Sequence, residues 1–547
     1  MDSKTTPIEA VTDKTQTMPS QAPPPAWFRF LVPSVADLIF IVLLATMTGG
    51  ILALRLLGDA GIGWHIRNGE LILHTHSITR TDPFSATMGG QAWYAWEWLY
   101  DIVIAGVHHW FGLNGVVLLT AVIIAATFAL TLRLSLRRGA DLALAVILLA
   151  LSLAASMIHL LARPHVLSWL LSVVWFHLLD SSEGGVASAG GRRVWWLPVL
   201  MLLWVNVHGG FVLGFVLLGL YLLSNAIGYL RSRRKGQEQK EDICMKLARM
   251  RELALVTAAS LAASLINPYG YKLHEHVYRY LSSRWLMNHI DEFLSPNFHG
   301  VAQQCFVAIL LIAIVALVFA GKKLTLPQLL VLLFAAYSGL YASRSLPISS
   351  LLLTLIVAPL LTQAVRSAAS NSDLSLWLQS WFSKWAAFGK RMGSVEAHSR
   401  GHAWPLLAVI AALLLCAQQG RAGALQWMDA HFDATRFPVQ AVDAIVQRNI
   451  REPIFAPDSW GGYLIYRLSP QNKVFVDDRN DLYGEQFLKD YLKTLRLTPE
   501  WVDFLNQRRV KWVLVPAESA LANMLGLTQQ WRVVYRDGTS ALFERIM

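Results

Sequence analysis

Long runs without a charged side chain limit the folds that this chain can adopt more than any other feature of its sequence. Residues 142–160 (LALAVILLALSLAASMIHL) contain no Lys, Arg, Asp or Glu, and comparable runs follow. A helix of about 20 apolar residues matches the thickness of the bilayer hydrocarbon core. Only 15% of the 547 residues are charged, against roughly 25% in soluble domains, and the mean hydropathy is +0.42. The sequence therefore predicts a polytopic α-helical membrane protein and excludes a soluble multidomain enzyme.

About eleven apolar segments are predicted to span the bilayer. They are 35–54, 113–132, 142–160, 165–180, 194–208, 209–230, 253–266, 301–320, 325–342, 346–365 and 403–418. All 47 Lys and Arg lie outside them, and the connections alternate in basic content, with 20 in one set and 8 in the other. Basic residues concentrate on the cytoplasmic side of a membrane. We therefore expect a cytoplasmic N-terminus and an extracytoplasmic C-terminus, and the net charge of +11 does not indicate nucleic-acid binding.

The chain divides into three predicted domains. Residues 1–33 form a polar, Pro-rich tail with the composition of a disordered segment. Residues 34–418 hold the spans and two long periplasmic loops, 55–112 and 267–300. Within the first loop, Glu97–Phe111 (EWLYDIVIAGVHHWF) is apolar but too short to cross. It is typical of a helix that lies at the membrane interface.

The remaining residues, 419–547, are predicted to form a small periplasmic α/β domain, because their composition turns soluble. The runs that indicate strands and helices in it are Lys473–Val476, Glu485–Leu495, Pro499–Gln507, Lys511–Val515, Trp531–Tyr535 and Ser540–Phe543. Its segment contains no cysteine, since the three in the chain are Cys244, Cys305 and Cys416. No disulfide framework or thiolate metal site is therefore predicted there. Outside it, 373–391 is predicted to be an amphipathic helix at the inner membrane surface.

Two acids in the first loop are candidates for catalysis. Asp59 follows the first span directly, and Glu97 lies near the other end of the loop. An acid at headgroup depth can accept the proton of an acceptor hydroxyl while a lipid phosphate leaves. The alternative is that Asp59 caps a helix and Glu97 begins one, since acids are favourable at helix N-termini.

Several basic, imidazole and acidic side chains on the same predicted face are candidates for binding the substrate and its phosphate. They are His65, Arg67, Asp82, Arg163, His208 and Arg344. Arg suits a phosphate because it donates two parallel hydrogen bonds. Taken singly, each is more often a capping or snorkelling residue, and His74 and His76 are interpreted as surface residues rather than metal ligands.

Two motifs of the C-terminal domain are candidates for contacts with an acceptor or between domains. Trp460 and Tyr463 lie in the first (DSWGGY), and Asp477 and Asp478 lie in the second (VDDRNDLYG). With Asp481, the second motif has three acids in five positions, a set that suits a hard cation. The favoured interpretation is a solvated strand-to-helix loop, so no bound divalent cation is expected.

At these residues the chain resembles a family of bacterial multispanning glycosyltransferase-like proteins of the GT-C superfamily. The resemblance rests on Asp59…WHIRNGE…TDPFS…EWL, RPH, NVHGGF, NPYG and SWGGYLIYRL…VFVDDRNDLYG. The superfamily includes protein mannosyltransferases, aminoarabinose transferases and oligosaccharyltransferase catalytic subunits, which take sugar from a polyprenyl-phosphate carrier. The resemblance implies that Asp59 is the first-loop acid and Glu97–Phe111 the interfacial helix. In this sequence that acid has no second acid beside it.

The expected function is that of a bacterial inner-membrane glycosyltransferase. Its expected partners are the bilayer, a polyprenyl-phosphate-linked sugar as donor, and a glycan, lipid or protein as acceptor. A lipid flippase or transporter and a non-catalytic envelope scaffold remain open alternatives. The predicted spans hold no Lys or Arg, and their acids Asp37 and Asp180 lie near the inner ends. Coupled transporters often place ionisable groups within the bilayer, so this distribution counts against a coupled transporter but less against a lipid flippase.

The distribution of basic residues gives a direct test of topology. Alkaline phosphatase folds only outside the cytoplasm, so a fusion at Gln419 is expected to be active and a fusion at Gly236 silent. Enzyme activity normalised to the amount of fusion protein measures this. The reverse pattern would place the candidate site residues on the cytoplasmic side and would contradict the predicted orientation.

Overall fold

A computed structural model describes residues 30–183, 191–234, 240–321, 324–399 and 401–546, and up to residue 417 these fold mainly as helices. The helices of this part are α1 (Val35–Thr48), α2 (Ile51–Leu56), α3 (Gly61–Thr75), α4 (Trp98–Arg137), α5 (Leu142–Ser156), α6 (His165–Ser181), α7 (Leu197–Val207), α8 (Val212–Arg234), α9 (Lys240–Ser264), α10 (Tyr271–Ser282), α11 (Arg284–Met287), α12 (Val301–Phe319), α13 (Leu326–Tyr341), α14 (Leu346–Ala369), α15 (Leu376–His398) and α16 (Ala403–Ala417). Short 3₁₀ turns join several of them, at Met157–His159, Gly191–Trp196, Gly209–Phe211, Asp291–Phe293 and Ser343–Ser345.

The apolar segments of the sequence all coincide with helices. By length and hydropathy, five helical stretches in the described ranges are able to cross a membrane, namely Trp98–Arg137, Leu142–His159, Gly209–Arg234, Val301–Phe319 and Ser343–Ala369. Shorter apolar helices are Val35–Thr48, Arg193–Val207, Leu326–Tyr341 and Ala403–Ala417. The chain is therefore a multi-pass membrane protein, while the number of eleven spans stays a prediction.

Two glycines interrupt helices at points where the chain changes direction. Gly50, with φ 64°, separates α1 from α2, so the first apolar segment is not one continuous helix. Gly112, with φ 58°, breaks α4 between Trp98–Phe111 and the long apolar stretch after it. Glycine adopts such positive φ values without the steric cost that other residues meet. The segment Glu97–Phe111 is thus confirmed as a separate helical piece, and its position at the membrane interface stays a prediction.

Helix α14 lies at the centre of the bundle. It packs against α4, α5, α12, α13 and α15, and its side chains from Leu351 to Ala358 are all buried. A helix that is apolar on all sides is typical of such a central position. Helix α12 instead exposes Leu311, Ile314 and Val318. Apolar side chains directed outward in this way suit contact with lipid.

The C-terminal part contains a small sheet with helices packed beside it. Its elements are β1 (Arg421–Ala422), β2 (Leu425–Gln426), α17 (Val439–Gln447), β3 (Ile454–Phe455), α18 (Asp458–Leu468), α19 (Asn480–Leu495), α20 (Trp501–Gln507), β4 (Trp512–Pro516), α21 (Ala520–Leu527), β5 (Trp531–Arg536) and β6 (Ser540–Arg545). The main sheet has the order β3-β4-β6-β5, with β3 parallel to β4 and the other pairs antiparallel. The predicted strand pair at the C-terminal end corresponds to β5 and β6.

The strand predicted at Lys473–Val476 is wrong. Val474 forms only isolated bridges, one to Ile454 of β3 and one to Ser85. Ser85 belongs to residues 55–112, the first long connection; residues 267–300 are the second. The backbone N–H of Val474 donates to Phe84 (3.1 Å), and its carbonyl accepts from Ala86 (2.8 Å). The segment therefore lies between β3 and the first long connection without forming a regular strand. The alternation of residues within the segment does not reveal that second partner.

Helices α3 and α18 cross in direct backbone contact. A Cβ atom on Gly63 would collide with the carbonyl oxygen of Gly462, and a Cβ on Gly462 would collide with that of Ala60. A Cβ on Gly461 would meet the backbone of Val476 in the same way. Glycine allows the two helices to approach this closely, because it has no side chain that would push them apart. The SWGGYL motif is therefore a helix-docking surface.

Replacing Gly462 is expected to disturb this docking. Gly462→Val should destabilise the protein, because overpacking of this kind costs about 1–3 kcal/mol or more. The melting temperature in detergent and the rate of proteolysis of the C-terminal part measure the effect.

Gly526→Val is the matched control, since Gly526 is also helical and its added Cβ meets no heavy atom of the described chain within 4 Å. Equal loss of stability in both variants would show that the helix crossing does not depend on Gly462.

Candidate active site

A cavity of about 910 Å³ lies where the long connections and the C-terminal part meet one end of the helix bundle. The sequence-predicted site residues that line it are Asp59, His65, Glu97, Arg163, His208, Arg344 and Asp478. Those that do not line it are Arg67, Asp82, Trp460, Tyr463 and Asp477. A concave site of this volume is ordinary for a small-molecule ligand.

Arg163 joins acidic residues from two distant parts of the chain. Its Nη2 lies 2.7 Å from Asp59 Oδ1 and also contacts Asp478 Oδ2. Its Nη1 is 3.7 Å from Glu292 Oε1, in the second long connection. The turn that carries Arg163 is tied to the end of α2, because Ala162 N–H donates to Leu56 O (2.8 Å).

The environment of this cluster shifts the ionisation of Asp478 and of Arg163. Burial raises the pKa of Asp478 to about 7, Arg163 opposes that change, and the nearby negative charge of Asp59 adds to it. Burial disfavours the guanidinium, yet Asp59, Asp478 and Glu292 raise the pKa of Arg163 above its usual value. Arg163 is therefore a fixed cation that already has anionic partners, and a phosphate would have to compete with them.

The two carboxylates on Arg163 differ in how many of their oxygens are occupied. Asp59 Oδ1 accepts from Gly61 N (2.7 Å) and from Arg163 Nε (2.7 Å). Asp59 Oδ2 has no hydrogen-bond partner among the residues that the structure describes, and the side chain is 27% exposed. Asp478 uses both oxygens, since Oδ1 accepts from Trp64 Nε1 (3.0 Å) and Oδ2 contacts Arg163. Asp59 is both a cap for the turn into α3 and the freer proton acceptor.

Glu97 lies between two imidazole rings just before α4. His65 Nε2 is 3.7 Å from Glu97 Oε2, and His208 Nε2 is 3.8 Å from Glu97 Oε1. Burial, with a smaller contribution from Asp101, raises the pKa of Glu97 well above its usual value. Burial also lowers the pKa of His65 well below its usual value. Burial therefore favours the uncharged forms of both side chains in this part of the cavity.

Arg344 is the cation of the cavity with the fewest partners. Its guanidinium lies 4.4 Å from the ring centroid of Phe293. Within the described ranges it makes no ion pair with a carboxylate. Its turn is held against the second connection, because Ser343 N–H donates to Leu294 O (2.9 Å). A cation stacked on one ring and otherwise open to the cavity is suited to bind an anion.

Arg67 and Asp82 have structural partners instead of facing the cavity. Arg67 donates from Nε to Tyr466 O of α18 (2.9 Å) and pairs with Glu70 (2.7 Å). Asp82 is buried, accepts from Ser85 N (3.0 Å) and pairs with Arg479 (2.9 Å). The geometry therefore gives no support to the phosphate-binding role predicted for either residue. Through Tyr466 and Arg479, these two side chains hold the C-terminal part against the first long connection.

The second C-terminal motif is buried, so the prediction of a solvated loop is wrong. Asp477 is fully buried and accepts from Arg479 Nε (2.7 Å) and from Tyr483 OH (2.7 Å). In the first motif, Trp460 Nε1 donates to Arg436 O (2.9 Å), and Tyr463 is buried with Phe432 and Phe437. These residues hold the C-terminal part together, which leaves Asp478 and Asp481 as its acids that line the cavity.

Sequence reasoning missed one cavity residue of the second connection, Glu292, and one residue that packs against the cavity wall from outside, His276. Glu292 lines the cavity beside Arg163; burial raises its pKa, but the charges of Arg344 and Arg163 outweigh this effect and leave the pKa below its usual value. His276 lies 3.1 Å from Asp481 and stacks on Tyr94 at 4.4 Å. The adjacent acids Asp291-Glu292 were a visible signal, but nothing in the local pattern indicated that Arg163 is near them. Across the described part of the chain, no group of three or more His, Cys, Asp or Glu is arranged to hold a metal ion.

The fold is similar to two solved membrane proteins. The Archaeoglobus fulgidus oligosaccharyltransferase, tethered with an acceptor peptide, matches with a TM-score of 0.53 at 12% identity, covering 88% of this chain and 68% of that chain. ArnT from Cupriavidus metallidurans in the apo state matches with a TM-score of 0.50 at 12% identity, covering 94% and 96%. No family model and no curated protein matches the chain. At this identity the likeness shows the fold alone, and that fold is the one expected from the sequence resemblance.

The raised pKa of Asp478 predicts a pH dependence of stability. The unfolded chain releases this proton in the usual range of an aspartate, whereas the folded protein keeps it until about pH 7. Between those values the folded state binds the extra proton, so stability falls as the pH rises. Asp478→Asn should make that fall shallower, as measured by melting temperatures over a pH series.

Asp429→Asn serves as the control, because Asp429 is well exposed. Melting curves for Asp478→Asn that run parallel to the wild-type curves across the whole pH series would contradict the expected effect.

Proposed function

We propose that this protein is a membrane glycosyltransferase that moves a sugar from a polyprenyl-phosphate carrier to an acceptor hydroxyl. The GT-C fold supports this class, since the similar structure from Archaeoglobus fulgidus is an oligosaccharyltransferase tethered with an acceptor peptide. The sequence resemblance adds the lipid-linked donor. The basic-residue bias favours a reaction at the extracytoplasmic face of the bacterial inner membrane.

The proposal depends mainly on one observation, namely that Oδ2 of Asp59 has no hydrogen-bond partner among the described residues. Its Oδ1 is anchored by Gly61 and Arg163, whereas Oδ2 is left without a described partner at the cavity wall. A general base needs a fixed position and one available lone pair. The ion pair with Arg163 supplies the first, and the unoccupied oxygen supplies the second.

The proposed reaction is a single displacement at the anomeric carbon of the donor sugar. The acceptor hydroxyl oxygen forms the new bond to that carbon while its proton passes to Asp59 Oδ2. The bond between the anomeric carbon and the carrier phosphate oxygen breaks, and the polyprenyl phosphate leaves with the electron pair. The leaving group is already a weak base, so it needs charge stabilisation more than it needs a proton.

Arg344 is the residue we assign to the carrier phosphate. Its guanidinium has no carboxylate partner in the described ranges and lines the same cavity as Asp59. Arg163 is the weaker candidate, because binding phosphate there would displace Asp59 or Asp478. The predicted phosphate role therefore falls mainly to Arg344.

Asp59→Asn is expected to abolish transfer while leaving the fold intact. The amide oxygen still accepts from Gly61 and Arg163, but it cannot take the hydroxyl proton. Loss of a general base typically lowers the rate by about 10²–10⁴-fold. Purified protein in detergent, assayed with a panel of undecaprenyl-phosphate sugars and envelope acceptors, measures the rate.

Arg344→Gln is the companion variant, and it should mainly raise the KM for the donor. Asp429→Asn should leave both kinetic constants unchanged. Full activity of Asp59→Asn would remove this acid from the mechanism. Failure of the wild-type protein to transfer any sugar of the panel would contradict the proposed function and favour a scaffold.

A further inference from the structure

The rings of His65 and His208 hold the Glu97 carboxyl between them inside the cavity. The two nitrogen–oxygen separations are 3.7 Å and 3.8 Å. Both exceed a normal hydrogen bond, so the three groups do not satisfy one another. All three line the cavity that also contains Asp59 and Arg344.

The protonation state of His208 follows from its hydrogen bonds. Gly210 N–H donates to His208 Nδ1 (3.0 Å), so this nitrogen carries no proton. Trp204 Nε1 donates to Ser168 Oγ (2.7 Å), and the Ser168 hydroxyl lies 2.7 Å from the same Nδ1. The ring is therefore neutral, with its proton on Nε2. His208 thus presents an N–H donor toward Glu97.

His65 is held just as firmly on the opposite side. Its Nδ1 shares a 2.6 Å hydrogen bond with Asp101, whose other oxygen accepts from Asn68 (2.6 Å). The indole of Trp64 stacks on the ring at 3.6 Å. The Nε2 atom is therefore fixed in its direction toward Glu97 before any ligand binds, which lowers the entropic cost of binding.

Glu97 forms no direct ion pair with an Arg or Lys side chain of the described residues. In the described ranges its only ion-pair neighbours within 4 Å are the two histidines. A buried carboxyl without a cationic partner is more stable as the neutral acid. Beyond the two histidines, the titratable and charged groups that act on Glu97 are Tyr100, Asp101, Arg163 and Asp481.

We propose that Glu97, His65 and His208 form an uncharged subsite for the hydroxyl groups of the transferred sugar, with Glu97 in its carboxylic-acid form. A sugar hydroxyl both donates and accepts, which matches a set of groups that includes an N–H, an acid O–H and a carbonyl oxygen. Trp96 also lines the cavity, where it shares a side-chain hydrogen bond with Glu97. This inference rests on the proposed function and identifies where the donor sugar binds.

The carrier and its sugar are separable in a binding experiment. Undecaprenyl phosphate alone and undecaprenyl-phosphate hexoses and pentoses are added to purified full-length protein, and the rise in melting temperature is measured. In wild type, at least one sugar-linked carrier should stabilise more than the carrier alone. Glu97→Ala should lose this increment and keep the response to the carrier, with donor affinity falling about 10- to 100-fold for the lost hydrogen bonds.

Glu97→Gln distinguishes a neutral acid from an anion. The amide keeps an uncharged donor and acceptor. Glu97→Gln should therefore keep the sugar-dependent rise in melting temperature, and its affinity for the donor should stay within about fivefold of the wild-type affinity. Glu485→Ala and Glu485→Gln are controls at an exposed acid, and both should behave as wild type. Equal losses in Glu97→Gln and Glu97→Ala would overturn the proposal, because they would mean that the charge is required.

Infrared spectra give a readout that does not depend on transfer. Wild type at neutral pH should show the carbonyl stretch of a protonated carboxylic acid that is missing in Glu97→Gln. Absence of that difference would overturn the neutral state of Glu97 whatever the activity. Its presence, without any sugar-dependent stabilisation, would refute the sugar subsite. Sugar-dependent stabilisation without any transfer would count against the proposed function alone.

Discussion

The arrangement of the site depends on one partly buried cation, Arg163. Its guanidinium is paired with Asp59 from the first long connection and Asp478 from the C-terminal part, and Glu292 from the second long connection lies 3.7 Å away. A guanidinium removed from water is stable only with anionic partners, and removing one partner of a buried pair is far more costly than forming the pair is favourable. The three segments are therefore held at one end of the bundle by the same charge. The cavity between them is a consequence of that convergence.

The helix crossing at Gly63 and Gly462 determines whether Asp478 can reach this cation. Because α18 lies against the backbone of α3, and Gly461 lies against Val476, the chain leaves α18 and returns close to the start of α3. The paired glycines thus help to position the site, although neither has a side chain that could contribute to it. The C-terminal residues, predicted as a separate α/β domain, contribute a wall of the cavity. Motifs at residues 59–69 and 458–484, far apart in sequence, are parts of one assembly.

Sequence reasoning succeeded where a property is local. Long uncharged runs identified the helices, and the position of Asp59 after the first apolar segment identified a residue that lines the cavity. It did not identify partners, because Arg163 and Asp478 are 315 residues apart and no periodicity links them. The direction of a side chain was also hidden, so Arg67 and Asp82 were assigned to the substrate although they bind Tyr466 and Arg479. The motif with Asp477, Asp478 and Asp481 was predicted to be exposed to solvent, because three acids in five positions are usually exposed.

The distribution of charge within the cavity assigns different chemical tasks to different walls. Arg163 is neutralised by its carboxylates, so it can hold Asp59 in place but is poorly suited to receive a phosphate. Arg344 is left as the cation able to meet an incoming anion, and Glu292 near both arginines limits how much positive charge the cavity presents. With Glu97 in the proposed acid form, the wall formed by Glu97 and the two histidines would interact weakly with phosphate but well with hydroxyls. A lipid-linked sugar has these same parts, an anionic group joined to a neutral polyhydroxylated ring, so this division of charge fixes the direction in which such a donor would lie.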